Sequence, residues 1–465
     1  AFHHANGAVR YLYLKSLGRF EGYDIWNTRY YPGLYDTIMY SLHVLFDNFI
    51  NIKYTIEIKH IINWLVSSLG IFGLFLVNKK IFNKEVAVLS CILALLNPTF
   101  FGHMGMNPKD PITFTALIWS IYFFINYIEN LDKHRLKNLM LMSIAIGFGA
   151  SIRITFVSLL APLFFIWVYF VFKKKVNILS VIFDLLLGLF IILFITFLAW
   201  PDIHKGNFVI LLEIIERSSS WLIAFKHGII NGKFYEIAFT PRTYILELFL
   251  YRIPLYFSLL ILFTYYSVFK KKNFFINKFE SSFIIKFCLL NLILFFPILT
   301  IIISKTNLYD NARVILFTIP FFSTIAAIGL FYLITEFKAY NKFYKFFSCI
   351  IFFLLFLSIY RFLALTPYQY TYTNYLSTPK FTMGENKFEH DYVYTSYPEL
   401  MKKIKKKYGE VEASKLKIRT CDNNLWAYKF YFRNILKTEQ TIGQNADYVI
   451  MTNRNLKYRK MNCFQ

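Results

Sequence analysis

The chain has 465 residues, of which 57% are hydrophobic and 20% aromatic, and its mean hydropathy is +0.45. The hydrophobic share exceeds the roughly one half expected of a soluble globular chain, so the composition excludes an ordinary soluble enzyme and indicates a polytopic membrane protein. The formal net charge is +24. Most lysines flank apolar runs instead of clustering on a soluble face, which argues against nucleic-acid binding.

Residues 1–58 form the first predicted unit, an extracytoplasmic loop. Apolar residues recur at helical spacing from Leu34 to Ile50 and, less regularly, from Val9 to Leu17. These patterns predict two helices that lie on the outer membrane interface, although an ordinary helical hairpin of a globular loop would show the same periodicity.

Residues 59–366 form the predicted transmembrane domain. Its apolar runs number ten: 60–77, 85–100, 112–128, 138–152, 154–172, 177–200, 254–269, 283–303, 314–336 and 346–366. A helix needs about 20 residues to cross a bilayer core of roughly 30 Å, so we expect the short runs 85–100 and 138–152 to end in re-entrant or partly buried loops. The chain opens with Ala1 and not Met, so we expect a missing N-terminal piece, and a span within it would make eleven.

The orientation follows from the placement of lysine and arginine. Basic residues concentrate in alternate connections, which predicts that these are cytoplasmic: 79–84, 133–137, 173–175, 270–272 and 338–345. The remaining connections, residues 1–58 and the tail then face outward.

Residues 367–465 form the predicted tail domain, a small extracytoplasmic α/β unit. The sequence predicts a helix over 397–408, a strand over 415–420, a helix over 423–432 and a strand over 446–452. Cys421 and Cys463 lie in this tail, either as a disulfide or as two free thiols.

A polar break from Asn97 to Asp110 interrupts the apolar runs and carries the first candidate site residues. Asn107, Lys109 and Asp110 stand just before a span, where a proline fits the first helical turn. An acidic residue at a helix N-terminus is explained equally well by the helix dipole. A carboxylate and an ammonium group at the lip of an outward cavity would also position a hydroxyl and an anion together.

Two arginines stand at the same predicted membrane edge. Arg153 follows a run of small residues, and Arg313 closes the segment Tyr309-Asp310-Asn-Ala-Arg313. Arginine suits phosphate binding, but Arg153 at a membrane edge could equally snorkel to lipid headgroups. The alternative for Asp310 and Arg313 is a local ion pair with each other and no binding role. Such a pair stabilises by about 0–1 kcal/mol when it is exposed.

Asp184 and the histidines are the other polar residues of interest. Asp184 lies inside an apolar run near the cytoplasmic side, where we expect it to pair with a neighbouring helix or to reach cytoplasmic water. His3, His4 and His103 show no repeated spacing typical of a zinc site, and the sequence leaves metal binding open.

Several segments resemble one family, the membrane glycosyltransferases that use polyprenyl-phosphate sugars, of the GT-C type. The resemblance is to bacterial relatives of the protein O-mannosyltransferases and aminoarabinose transferases. The segments are, in chain order, His4-Ala-Asn-Gly, Tyr30-Tyr-Pro-Gly-Leu-Tyr-Asp36, Asn97-Pro-Thr-Phe-Phe-Gly-His103, Asn107-Pro-Lys-Asp110, Gly147-Phe-Gly-Ala-Ser-Ile-Arg153, Trp200-Pro, Tyr309-Asp-Asn-Ala-Arg313 and Pro367-Tyr-Gln-Tyr-Thr-Tyr-Thr-Asn374.

The resemblance implies an all-α polytopic membrane protein of about ten to eleven transmembrane helices with a small C-terminal α/β extracytoplasmic domain. It implies a location in the bacterial cytoplasmic membrane and a cavity open to the lipid and the outer side. It also implies transfer of a sugar, with inversion, from a polyprenyl-phosphate donor to a protein, lipid or glycan acceptor. We expect no cofactor, with a divalent metal left open.

The resemblance also suggests roles for individual residues. The family places its catalytic acid near the start of the first outer loop, which here would precede Ala1, with Asp24 and Asp36 as weaker substitutes. Within the chain, Asp110 is the catalytic candidate. Binding of the donor phosphate falls to Arg153, Arg313 and Lys109, and supporting roles fall to Asn107, His103, Tyr309, Asp310 and His4.

Two other functions stay open at this point. A non-catalytic lipid-binding scaffold would have the same architecture, because a fold does not establish an activity. A transporter would also break its spans with polar residues, but it should show related halves, and the sequence contains no such internal repeat.

Overall fold

The computed structural model describes residues 2–24, 28–47, 49, 55–130, 134–217, 227–230, 232–304, 306–309, 311–338, 342–377, 388, 391, 395–413, 415–416, 418–420 and 447–450. The sequence predictions for Asp310, Cys421, Cys463 and a helix over 423–432 lie outside these residues.

The N-terminal part of the chain contains the two helices expected from its periodicity, α1 (Phe2–Lys15) and α2 (Leu34–Asp47), with a short 3₁₀ helix (Thr28–Tyr30) between them. These three elements and the residues between them are called the first outer segment, after the side of the membrane that the sequence predicts for them. The two α-helices pack against each other. A Cβ added to Gly7 of α1 would lie 2.1 Å from the carbonyl oxygen of Asp36 of α2, so only glycine allows this approach. Their position on the membrane interface stays a prediction.

Each of the ten apolar runs lies mainly in helix. The first six correspond to α3 (Thr55–Ile81), α4 (Lys84–Leu95) with α5 (Pro98–Met106), α6 (Asp110–Glu129), α7 (Arg135–Ile152), α8 (Ala161–Lys174) after a 3₁₀ segment (Ile154–Leu160), and α9 (Ile178–Phe197).

The chain then makes several short elements before the remaining long helices. These are α10 (Pro201–His204), α11 (Val209–Arg217), strands β1 (His227–Ile230) and β2 (Lys233–Glu236), a 3₁₀ turn (Ile237–Phe239), α12 (Tyr244–Arg252), α13 (Leu255–Lys270), α14 (Lys272–Phe279), α15 (Phe283–Ile303), a 3₁₀ segment (Asn311–Thr318), α16 (Ile319–Lys338) and α17 (Lys342–Ala364). Strands β1 and β2 pair antiparallel.

The number of spans differs from the ten to eleven expected. Among the described residues, seven helices are long and apolar enough to cross a membrane, or nine if each of two bent pairs counts as one span. Helix α7 is not among them, since its 18 residues begin with Arg135, Lys137 and Asn138. The run 85–100 is also not one straight helix. The helix ends at Leu95 because a residue before a proline disfavours the helical conformation, and α5 begins at Pro98, bent by 73° from α4.

Burial divides the helices into a central and a peripheral set. The apolar window within Ile315–Phe337 is completely buried, whereas only 17% of the window in Ile178–Phe197 is buried. Large side chains on α9, such as Leu186, Phe190 and Phe194, are exposed. Apolar surfaces this extensive mark contact with lipid. The chain is therefore a multi-pass membrane protein with α16 near its centre.

The segment after α17 is fixed to the helical bundle. Arg252, at the end of α12, donates hydrogen bonds to the carbonyl oxygens of Tyr370 and Thr371, both at 3.1 Å. The Asn374 side chain donates to the carbonyl oxygens of residues 250 and 253 at 2.7 and 2.9 Å. The backbone of this segment also lies close to α5, since a Cβ added to Gly102 would lie 2.3 Å from the Tyr370 nitrogen.

The tail contains part of what the sequence predicts. A 3₁₀ turn (Gln369–Thr371) precedes α18 (Tyr397–Ala413), and the short strands β3 (Ile418–Thr420) and β4 (Tyr448–Ile450) pair in parallel. The first predicted helix and both strands are therefore present. A complete α/β domain remains a prediction.

Asp184 of α9 pairs with neighbouring helices, as its sequence position predicts. Arg135 at the start of α7 donates from Nε and a terminal nitrogen to its two oxygens at 2.7–3.1 Å, and the Tyr127 hydroxyl of α6 donates at 2.5 Å. The side chain of Asp184 is only 3% exposed. The ion pair thus links three helices on the side away from the other candidate residues.

We predict that Arg135→Ala destabilises the fold strongly. Removing Arg135 leaves the charge of the buried Asp184 side chain without its cation, and an uncompensated buried charge costs about 3–5 kcal/mol. Thermal unfolding of the detergent-solubilised protein measures the effect. Lys137→Ala removes an exposed cation two residues further along the same helix and serves as the matched control. Equal melting temperatures for the two variants would contradict a stabilising role for the pair.

Candidate active site

The turn between α5 and α6 is organised by Asn107. Its side-chain oxygen accepts hydrogen bonds from the backbone nitrogens of Lys109 and Asp110, at 2.9 and 3.2 Å, and its amide nitrogen donates to the Asp110 carboxylate at 2.7 Å. Side chains of this type commonly stabilise turns at helix starts. Asn107 therefore fixes Asp110 at the first position of α6.

The carboxylate of Asp110 bridges two arginines from distant parts of the chain. Arg153, which ends α7, donates to one oxygen at 3.2 Å, and Arg313, in the 3₁₀ segment before α16, donates from Nε to the other at 3.0 Å. The Asp110 side chain is 2% exposed, whereas Arg153 and Arg313 are 35% and 23% exposed. These three residues, called the Asp110 cluster, thus present two oriented and accessible guanidinium groups.

Lys109 lies beside this cluster and stacks on an aromatic ring from the first outer segment. Its Nζ is 3.7 Å from the ring centroid of Tyr31, which is a favourable cation–π distance. Burial lowers the pKa of Lys109 to about 7, and the charges of Arg153 and Arg313 act in the same direction, while Asp36 and Asp110 oppose them. The side chain therefore changes charge near neutral pH.

Asp36 forms a second carboxylate site on α2. His3 Nδ1 lies 3.0 and 3.1 Å from its two oxygens, and the Asn6 side chain donates to it at 2.6 Å. Burial acts to raise the pKa of Asp36, but the interactions with His3, Lys109 and Asn6 outweigh it and hold the pKa below its usual value. The sequence analysis gives Asp36 only the role of a weaker substitute for the catalytic acid.

The other predicted residues are not all brought together. His103 is buried in α5, with its ring 5.8 Å from that of Tyr370, and it lies within electrostatic range of Asp110 and Arg313. Tyr309 lies within electrostatic range of Tyr31. His4, by contrast, faces Lys59 and the ring of Tyr40.

Asp24 also lies apart from the Asp110 cluster. Its carboxylate accepts from the backbone nitrogen of Arg29 at 3.4 Å on an exposed loop. These positions do not support the supporting role suggested for His4 or the substitute role suggested for Asp24.

Arg10 is a site-forming residue that the sequence did not reveal. It is completely buried and donates to the carbonyl oxygens of Thr28, Tyr31 and Ala199. Arg10 thereby fixes the backbone of Tyr31, the residue whose ring stacks against Lys109. Periodicity places Arg10 on an amphipathic helix, where an arginine ordinarily faces solvent, so no local pattern distinguishes it.

No metal centre is apparent in the part of the chain that the structure describes. Within these residues, no three His, Cys, Asp or Glu side chains are grouped closely enough to hold an ion.

Comparison with a family model identifies one segment. Residues 56–200 match the model of dolichyl-phosphate-mannose-protein mannosyltransferases. This segment covers α3 to α9 and includes Lys109, Asp110 and Arg153, while Asp36 and Arg313 lie outside it. No curated protein sequence matches the chain significantly.

The fold is similar to two solved membrane proteins. For ArnT from Cupriavidus metallidurans, the apo structure gives a TM-score of 0.53 at 13% identity, covering 96% of this chain and 81% of that one. The structure of ArnT bound to undecaprenyl phosphate gives 0.53 at 12% identity, covering 93% and 80%. The apo oligosaccharyltransferase of Archaeoglobus fulgidus gives 0.50 at 13% identity, covering 93% and 59%.

These comparisons confirm the resemblance stated from the sequence. The matching family model and the similar structures are glycosyltransferases, and at 12–13% identity the structures establish that the chain has the GT-C fold.

We predict that Lys109→Met changes the pH dependence of stability. Between pH 7 and 9 the unfolded chain keeps this lysine protonated while the folded protein loses the proton, so the free energy of unfolding of the wild type falls as pH decreases, by up to about 1.4 kcal/mol per unit. The methionine of the variant does not titrate, so its unfolding free energy does not fall in this way. The difference in melting temperature, variant minus wild type, should therefore be higher at pH 7 than at pH 9.

Lys205→Met is the matched control, because Lys205 is exposed and stacks on Tyr23 at 4.7 Å. A pH-independent difference between Lys109→Met and the wild type would show that Lys109 does not titrate in this range.

Proposed function

We propose that the protein is a glycosyltransferase that moves a sugar from a polyprenyl-phosphate donor to an acceptor hydroxyl or amine at the outer face of the membrane, with inversion. The observation that carries the proposal is the Asp110 cluster, with two oriented guanidinium groups at the end of candidate membrane spans. The proposed location is the bacterial cytoplasmic membrane, with the tail outside.

The leaving group of this reaction is a lipid phosphate, which accumulates negative charge as the bond to the sugar breaks. Arg153 and Arg313 place two permanent positive charges against the single carboxylate of Asp110, and Lys109 adds a third when it is protonated. The surplus positive charge favours an anion here, and arginine can engage phosphate in a bidentate manner while remaining charged. Fixed cations at a developing charge are usually a large part of catalysis.

Asp110 acts in this proposal by orienting the cations. Its two oxygens already accept hydrogen bonds from Asn107, Arg153 and Arg313. A carboxylate held by three donors is a poor proton acceptor, because each bond favours the charged form. We therefore assign Asp110 a positioning role, and a different residue acts as the base.

The comparisons support the class of donor. The structure of ArnT with the same fold holds undecaprenyl phosphate, and the family model that matches residues 56–200 is named for a dolichyl-phosphate sugar. Both lipids are polyprenyl phosphates, which is the leaving group that the Asp110 cluster would accommodate.

We predict that Arg313→Ala and Arg153→Ala each lower donor turnover by about 10² to 10³, as expected for loss of one group that stabilises transition-state charge. The assay measures polyprenyl phosphate released by the full-length protein in nanodiscs from a panel of lipid-linked sugars. Arg242→Ala removes an exposed arginine that lines a separate surface pocket with Thr240 and Leu308, and it should retain wild-type turnover.

Two outcomes would count against the proposal. Wild-type protein that binds polyprenyl phosphate but consumes no lipid-linked sugar would favour a non-catalytic lipid-binding scaffold. Turnover that is equal in Arg313→Ala, Arg153→Ala and Arg242→Ala would place the donor phosphate away from the Asp110 cluster.

A further inference from the structure

We infer that His3, oriented by Asp36, is the general base that removes the proton from the acceptor. This inference rests on the proposed function and adds the proton acceptor that the Asp110 cluster lacks. It uses residues on α1 and α2, both within the first outer segment.

The geometry of the pair fixes which nitrogen of His3 can accept a proton. Nδ1 lies 3.0 and 3.1 Å from the two oxygens of Asp36, which can only accept, so Nδ1 carries the hydrogen of this contact. The neutral ring then keeps its lone pair on Nε2. A base oriented by a carboxylate on its other nitrogen is a recurring arrangement in proton transfer.

The two side chains also differ in access. The His3 side chain is 27% exposed, whereas that of Asp36 is 9% exposed. Asn6 donates to one oxygen of Asp36 at 2.6 Å and helps to hold it in place. The imidazole of His3 is therefore more exposed than the carboxylate of Asp36. An acceptor that enters the site would contact His3 before Asp36.

Charged groups from three other elements act on His3. Asp36 belongs to α2, Lys109 to the turn before α6 and Arg313 to the 3₁₀ segment before α16. Burial lowers the pKa of His3, as do the two cations, and this outweighs the opposing effect of Asp36. The ring is therefore neutral near pH 7 and able to accept a proton, and the ionised Asp36 stabilises the imidazolium that forms.

The proposed step balances without any further reactant. The acceptor oxygen or nitrogen forms a bond to the anomeric carbon as the bond from that carbon to the phosphate oxygen breaks. The electron pair of the broken bond stays on the polyprenyl phosphate, beside Arg153 and Arg313. The acceptor proton moves to Nε2 of His3 and is released to water after the product leaves.

The test compares two kinds of nucleophile on the full-length protein in nanodiscs. A hydroxyl acceptor needs a base, whereas azide attacks as an anion and has no proton to lose. His3→Gln should lower transfer to the hydroxyl acceptor by about 10² to 10⁴, the usual worth of a general base. Azide should restore release of polyprenyl phosphate, with formation of the glycosyl azide. It should not restore Arg313→Ala, which lacks a leaving-group cation.

His43→Gln is the matched control, since His43 lies two turns beyond Asp36 on α2 and should retain wild-type rates with both nucleophiles. Asp36→Asn should reduce transfer to the hydroxyl acceptor and be restored by azide, because it leaves His3 without its orienting carboxylate. Binding of polyprenyl phosphate, measured for the His3, Asp36 and His43 variants, reports whether their fold is intact, and thermal unfolding reports it for Arg313→Ala.

The wild type provides a readout that needs no variant. Its rate with a hydroxyl acceptor should fall on the acidic side as His3 becomes protonated, and the azide reaction should lack this limb.

The possible failures are distinguishable. No sugar transfer by the wild type with any donor would overturn the proposed function and the base together. Wild-type transfer that His3→Gln retains, or an acidic limb shared by azide, would overturn the base alone. A His3→Gln variant that binds lipid but is not restored by azide would also exclude this role.

Discussion

The carboxylate of Asp110 is the contact on which the candidate site depends. It joins the turn before α6, the end of α7 and the 3₁₀ segment before α16 through hydrogen bonds from Asn107, Arg153 and Arg313. Guanidinium groups near the membrane edge are costly unless they are paired, so one buried anion permits two cations to stay close together. Because the single carboxylate of Asp110 cannot neutralise both arginines, the cluster keeps a net positive charge that a phosphate could neutralise.

The first outer segment and the membrane domain build this site jointly. Arg10 is buried inside the outer segment and binds the backbone of Tyr31, whose ring in turn carries Lys109. Asp36, from the same segment, acts on Lys109 through its charge. Tyr31 and Asp36 of this segment thus contact or act on Lys109, the cation proposed for the leaving group, although neither α1 nor α2 is among the candidate membrane spans.

The sequence named Asp110, Arg153 and Arg313 as candidates because each stands at the end of an apolar run on one predicted side of the membrane. It did not predict that Asp110 joins the two arginines, since it paired Asp110 with Lys109 and Arg313 with Asp310. It did not predict the pairing of His3 with Asp36, which joins residues 33 apart through a helix packing that no local pattern encodes. It favoured His4, yet one residue along a helix turns a side chain by about 100° and sends it to a different neighbour. It also treated 85–100 as one run, where Pro98 starts a second helix.

The contacts of residues 368–377 with the helical bundle decide where a tail from another protein could be joined to this membrane domain. A chimera that took its tail from another protein and crossed over at residue 366 would replace the backbone whose carbonyl oxygens accept hydrogen bonds from Arg252. The same backbone lies against Gly102. The incoming chain would have to reproduce a backbone path, whatever its side chains. A crossover after Ser377 keeps that path intact, so it is the place where the tail of another protein could be joined.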